Sequence, residues 1–183
     1  FAVQLAKLHG LKVIGTGGKA SSVALLRELG VDVVIDYATQ DVEAVVMQRT
    51  EGKGAELVYD STYNQASYEL SARLVARGGE YIRLGTERQM KQFGASDVTP
   101  IVEGRGAKMT IGDLGRYRLE EAWSERIAEV DEAQQKAIDW YVAGALRPVI
   151  TATVPFDAAA LQQAFVDFLA GKNNVGKIVV KVR

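Results

Sequence analysis

The sequence predicts an α/β protein built on a parallel β-sheet with helices on its faces. From Leu11 to Ile111 short β-branched runs alternate with amphipathic stretches, the order expected of strands joined by crossover helices. Runs such as VDVVI are apolar almost without interruption, as fits strands covered on both faces. Composition agrees: 183 residues, 48% apolar and 25% charged, suffice for a sizeable core and lie in the ordinary globular range.

The elements follow in order. Phe1, Leu5 and Leu8 recur at the spacing of a buried helical face, and Gly10 stands where a helix stops. Strands are expected at Leu11 to Ile14, Val31 to Ile35, Glu56 to Tyr59, Glu80 to Leu84 and Lys108 to Ile111. Between them, Ser21 or Ser22 can cap a helix carrying Leu25, Leu26 and Leu29, ended by Gly30. Asp41 can cap one carrying Val42, Val45 and Val46, and a third runs from about Gln65 to Val75 with Leu70 and Leu74 inward. Thr86 to Gly106 is polar and without a strong period, which predicts a long surface loop with room for a helical turn. From Leu119 to Val142, Trp123, Ile127, Val130, Ala137 and Tyr141 recur at helical spacing, and Trp123, Trp140 and Tyr141 read as core. The tail reads as a strand from Val149 to Val154, a helix from Asp157 to Leu169 and a strand from Lys177 to Val182. In that helix Leu161, Phe165 and Phe168 point inward, Asp157 caps and Gly171 stops.

Several function classes recede on composition. A net charge of -1 gives no broad attraction for nucleic acid or anionic membrane. The chain has no cysteine and one histidine, so disulfides and thiolate metal sites are absent and zinc has almost no ligands. His9 reads as an exposed residue in the last turn of the first helix, favoured there by the helix dipole. No apolar run approaches a membrane span, and no signal peptide is visible, so a cytoplasmic location is expected.

The segment KVIGTGGKASS carries the most chemistry. Gly15, Gly17 and Ala20 fit GxGxxA after a strand and before a helix, and Asp36 lies near the spacing of a ribose-binding acid. On that reading the chain is a self-contained dinucleotide-binding module. It is not a Walker loop, because Val13 stands where the first glycine belongs and Ala20 follows the lysine. A helix ahead of the strand is not required by the fingerprint, and Gly17-Gly18 can equally make a plain turn.

Six segments, FAVQLAKLHGLKVIGTGG, LGVDVVIDY, GAELVYDS, RGGEYIRLGT, GALRPVI and NNVGKIVVKV, extend the comparison over nearly the whole chain. In that order they resemble the cofactor-binding and C-terminal half of the medium-chain dehydrogenase/reductases, and most closely the zinc-independent quinone oxidoreductases similar to zeta-crystallin. The resemblance implies a Rossmann-type doubly wound parallel sheet of order 3-2-1-4-5-6. Phe1 then opens the helix that follows the first glycine loop, and the first strand and the N-terminal catalytic domain are expected upstream of it. Strands two and four should show unpaired edges, for which a companion N-terminal chain, a swapped strand or a neighbouring copy would be partners. Residues 1–145 would form the NADP-binding domain, and 146–183 would return to a GroES-like catalytic domain.

On the same resemblance the end of KVIGTGGK chooses the cofactor. Thr16, Gly18 and Lys19 stand where a carboxylate would select NAD, and a lysine at a helix start suits the extra phosphate of NADP. Tyr37 matches a residue near the adenosine end, and Asp36 becomes a strand-end residue. Ser61, Thr62, Gly85, Thr86, Gly112 and Asn174 match turns along the nicotinamide half. No catalytic residue and no metal ligand is named; Asp60, Glu103 and Asp113 read as solvated loop carboxylates. The expected activity is NADPH-dependent hydride transfer to a quinone or other conjugated carbonyl. An enoyl reductase unit of a multidomain synthase and a non-catalytic nucleotide-binding module are the alternatives. A homodimer paired through Lys108 to Ile111 is the expected assembly.

Overall fold

The computed structural model describes residues 1–62, 64–84, 96–112, 126–172 and 175–182. Among these the chain runs α1 (Ala2–Leu8), β1 (Ile14–Gly17), α2 (Ala20–Glu28), β2 (Val33–Asp36), α3 (Val42–Arg49), β3 (Ala55–Asp60), α4 (Gln65–Leu74) and β4 (Val75–Leu84). It continues with α5 (Thr99–Glu103), β5 (Lys108–Gly112), α6 (Ile127–Val142), β6 (Ile150–Pro155), α7 (Ala158–Leu169) and β7 (Lys177–Lys181). Among the described residues the strand pairs are parallel: β1 with β2, β3 with β4, β4 with β5, and β6 with β7. Among the described residues β1 has β2 as its strand partner and β3 has β4, so each presents an edge without a second strand. The chain divides into two compact units, one of residues 1–39 and 134–183, the other of residues 40–133.

In the first unit Ile35 is fully buried and Val23 and Val31 nearly so, which seats α2 against the β1–β2 pair. The first strand starts three residues later than expected, because Leu11 to Val13 are spent returning from α1 and Val13 bonds the segment ahead of β2. Neither Ser21 nor Ser22 caps α2. Lys19, in extended conformation, is the N-cap residue, and both serines fall inside the first turn. Gly10, Gly30 and Gly171 each take positive φ just past a helix, as the stop positions predicted.

Three apolar stripes turn out differently from expectation. In α1 the buried residue is Gln4, whose Nε2 donates to the Arg147 carbonyl at 2.9 Å while its Oε1 accepts from the Arg147 N–H at 2.9 Å. The amide thus mates with backbone, and Phe1 and Leu8 lie exposed. In α7 Leu161 and Ala164 are half-buried, while Phe165 and Phe168 are 68% and 55% exposed. Asp157 does cap this helix, its Oδ1 accepting from the Ala160 N–H at 2.9 Å. A two-stranded sheet is too narrow to cover a wide apolar stripe, so only one row of α7 reaches it. In α6 Trp140 is half-buried and meets the His9 ring edge-on at 5.6 Å, whereas Tyr141 is exposed; Trp123 lies outside the described residues.

A surface pairing in this unit makes stability pH-dependent. Lys7 Nζ lies 2.7 Å from Asp32 Oδ2, which also accepts from the Val13 N–H at 2.7 Å. The lysine bond first, then the backbone bond, hold the Asp32 carboxyl below its usual range. A carboxyl depressed on folding contributes stability that is present above its unfolded pKa of about 3.9 and lost as pH falls through the folded value. Thermal melts should therefore fall less between pH 6 and pH 3 in Asp32→Asn than in the wild type.

The second unit holds a better-covered core. Tyr68, Ala72, Val75, Tyr81, Val98, Val102 and Ala107 pack together, with Val58, Ile101 and Met109 against them. Asp41 caps α3 by accepting from Ala44 N–H, and Asn64 caps α4 by accepting from Ser67 N–H. Part of the expected surface loop belongs to this core. Val98 and Val102, on and beside α5, are fully buried against Tyr68 and Ala72, and the polar residues around them hid that short helix from periodicity. The strand β4 begins directly after α4, five residues ahead of expectation, and its register against β3 shifts between Ala55 and Leu57.

Candidate cofactor site

At the carboxyl ends of β1 and β2, Gly17 lies in register with Asp36, and its carbonyl accepts from the Tyr37 N–H at 3.1 Å. The chain then turns, and the Tyr37 ring folds back onto Gly18. A Cβ built at Gly18 would stand 2.2 Å from Tyr37 Cε2 and 2.3 Å from its Cζ, so glycine is what lets the ring lie there. With 61% of its surface exposed, Tyr37 offers a flat aromatic face beside the β1–α2 turn. Thr16 is exposed one residue earlier, and Lys19 Nζ donates to the Gly171 carbonyl at 2.9 Å, just past the end of α7. Asp36 uses its carboxylate locally, where Oδ1 accepts from the Ala38 N–H at 3.0 Å. The structure thus brings Thr16, Gly18, Lys19 and Tyr37 into one cluster on the first unit.

In the second unit Ser61 and Thr62 are exposed directly after β3, and Gly112 ends β5 in register with Leu84, the last residue of β4. Gly112 also permits a close approach, since a Cβ there would stand 2.6 Å from Leu84 Cδ2. Gly85, Thr86, Asn174 and Asp113 lie outside the described residues.

Asp60, read from the sequence as solvated, is instead 3% exposed. Its Oδ1 accepts from the Thr62 N–H at 2.9 Å and the Thr62 hydroxyl at 2.6 Å; its Oδ2 accepts from Ser67 Oγ at 2.9 Å and Ser71 Oγ at 2.7 Å. Beside it in register stands Arg83, 5% exposed, with its guanidinium carbon 5.8 Å from the centre of the Tyr68 ring. Burial, then the Asp60 charge, pushes the Tyr81 hydroxyl far above its ordinary pKa, so it stays protonated. The signal for Asp60 was present in the sequence as two serines one helical turn apart, Ser67 and Ser71, on the face of α4 turned toward the strand.

Parallel strands joined by helices, with candidate residues at the carboxyl ends of the strands in each unit, make an α/β architecture of the Rossmann type. Residues 1–130 match the family model described as zinc-binding dehydrogenase. A 2-haloacrylate reductase of Burkholderia sp is 30% identical over 178 residues, 97% of this chain and 50% of that protein. A quinone oxidoreductase of Pseudomonas aeruginosa is 35% identical over 85 residues, 46% of this chain and 26% of that protein. The solved structure of a mycobacterial protein complexed with NADPH is 25% identical with a TM-score of 0.71, covering 98% of this chain and 53% of that one. The chain belongs to the zinc-binding dehydrogenase family, within the medium-chain dehydrogenase/reductases, and spans half or less of the length of these two curated relatives.

Among its described residues this chain is poor in zinc ligands. It has no cysteine, its one histidine is exposed against Trp140, and no group of three or more His, Asp or Glu among the described residues could hold a metal.

Proposed function

We propose that this chain supplies the cofactor-binding part of an NADPH-dependent reductase that delivers hydride to a quinone or another conjugated carbonyl. The observation that carries the reading is the cluster at the ends of β1 and β2. There Tyr37 lies over Gly18, Lys19 opens α2, and the end of β1 carries Thr16 and glycines in place of a carboxylate. An acid at that place would hold a ribose diol. A lysine beside the N–H groups of a helix start suits a phosphate on the ribose.

The reduced nicotinamide supplies the hydride, so the chain's own tasks are to bind, orient and exclude water. Tyr37 provides an aromatic face for the adenosine end, and Lys19 exchanges its contact with the Gly171 carbonyl for the ribose phosphate. Ser61, Thr62 and Gly112, together with Gly85, Thr86 and Asn174, are assigned to the nicotinamide half. The likeness to a 2-haloacrylate reductase and a quinone oxidoreductase supports an electron-poor alkene or quinone as acceptor. Two copies would pair through β5, whose second edge has no strand partner among the described residues.

Titration of the protein with NADPH and with NADH, followed by nucleotide fluorescence, tests the reading. NADPH should bind more tightly, and Lys19→Glu should weaken it at least about tenfold, equivalent to about 1.4 kcal/mol, with little change for NADH. Equal affinity for the two nucleotides, or an indifferent Lys19→Glu, overturns the NADPH assignment; no binding of either overturns the cofactor site.

A further inference from the structure

We propose that Asp60 is a positioning residue of the dinucleotide site, its buried carboxylate fixing the Ser61–Thr62 turn that presents the nicotinamide half of the cofactor; the inference rests on the function proposed above. Asp60 ends β3, and its two oxygens accept from four donors, two from Thr62 and one each from Ser67 and Ser71. A carboxylate has about four lone-pair sites, so these bonds fill it and leave none for taking a proton from substrate. Its work is geometric.

Helix capping does not account for the arrangement. The N-cap of α4 is Asn64, which already accepts from the Ser67 N–H at 3.2 Å. The hydroxyls of Ser67 and Ser71 lie one turn further in, four residues apart, and reach back to the strand end. An apolar joint between helix and strand would hold α4 equally well without burying a charge. What the carboxylate adds is direction. One oxygen holds the Thr62 N–H and hydroxyl while the other is tied to two turns of α4, so the exposed turn is rooted in a rigid helix. A supporting shell of this kind sets the groups that touch a ligand, and a displacement of about 1 Å at such a place is costly to affinity or rate.

The test compares Asp60→Asn, Asp60→Ala, the Ser67→Ala/Ser71→Ala pair and a control, Thr50→Ala. Thr50 is a structural hydroxyl of the same unit that donates to the Val46 carbonyl and accepts from the Gly54 N–H. For each, NADPH affinity, thermal stability and hydrogen exchange at the Thr62 amide are measured. The serine pair should weaken NADPH binding about tenfold and speed exchange at Thr62, whereas Thr50→Ala lowers stability and leaves both unchanged. Asn keeps an oxygen for Thr62, and serine hydroxyls can turn to accept from its NH2, so Asp60→Asn should recover much of what Asp60→Ala loses. Wild-type affinity in the serine pair, or losses that follow stability in the control as well, overturns the inference. Absence of nucleotide binding by the wild type is a different result, which overturns the cofactor reading and this inference with it.

Discussion

Replacing Gly54 by alanine should cost the second unit about 3 kcal/mol of stability, the sum of a strained backbone and a clash with main-chain atoms. Gly54 precedes β3 with φ of +85°, a region where an L residue is disfavoured by about 1–2 kcal/mol. Added to this, a Cβ there would stand 2.5 Å from the Leu74 carbonyl oxygen and 3.1 Å from the Ala76 nitrogen. Those atoms are the junction of α4 with β4, and Ala55 pairs with Val75 at the same place. The neighbour cannot swing aside as a side chain would, so the start of the β3–β4 pairing must shift. Gly52→Ala isolates the two contributions, since Gly52 has φ of +77° with nothing within 4 Å of a built Cβ. Urea unfolding should show Gly52→Ala losing only the backbone part, about 1 kcal/mol, and Gly54→Ala markedly more. Equal losses would show that the approach of the two backbones carries no strain.

Tyr68→Ala should destabilise the same unit by about 3–5 kcal/mol, as removal of a fully buried aromatic ring does. Tyr68 has no exposed surface and packs at the centre of the core between α4, β4 and α5. Its ring also faces the Arg83 guanidinium, so its loss leaves a buried cation without the aromatic face it rests on. Tyr81→Phe gives the contrast. The Tyr81 hydroxyl is buried without a hydrogen-bond partner among the described residues, so deleting it removes a desolvated group and changes stability by less than about 1 kcal/mol. Chemical denaturation of Tyr68→Ala, Tyr68→Phe and Tyr81→Phe ranks the three. A small loss in Tyr68→Ala would mean that the cluster repacks around the cavity.

Much of this was legible in residue order. Parallel sheets were readable from β-branched runs alternating with amphipathic helices, because each crossover helix and each doubly covered strand leaves its own period. Asp41 and Asp157 announced their helix starts through a local contact of three residues, which sequence spacing captures directly. The glycine cluster was legible as a turn between a strand and a helix. That Tyr37 lies on Gly18 needed coordinates, because the two are 19 positions apart and meet only through the β1–β2 pairing. Asp60 was misread for a related reason: a carboxylate at a strand end looks solvated until the helix that follows is seen to aim two hydroxyls at it.

The sequence by itself determined the class of fold, the order of all its described elements but the short α5, and the helix stops, since each depends on residues near one another in the chain. Tertiary structure alone decided which stripe of α7 meets the sheet, that Gln4 rather than Phe1 is buried in α1, and that Asp60 is a four-bond hub beneath an exposed turn. Those outcomes depend on which surface each element meets, and amphipathic spacing fixes a face only to within a residue or two.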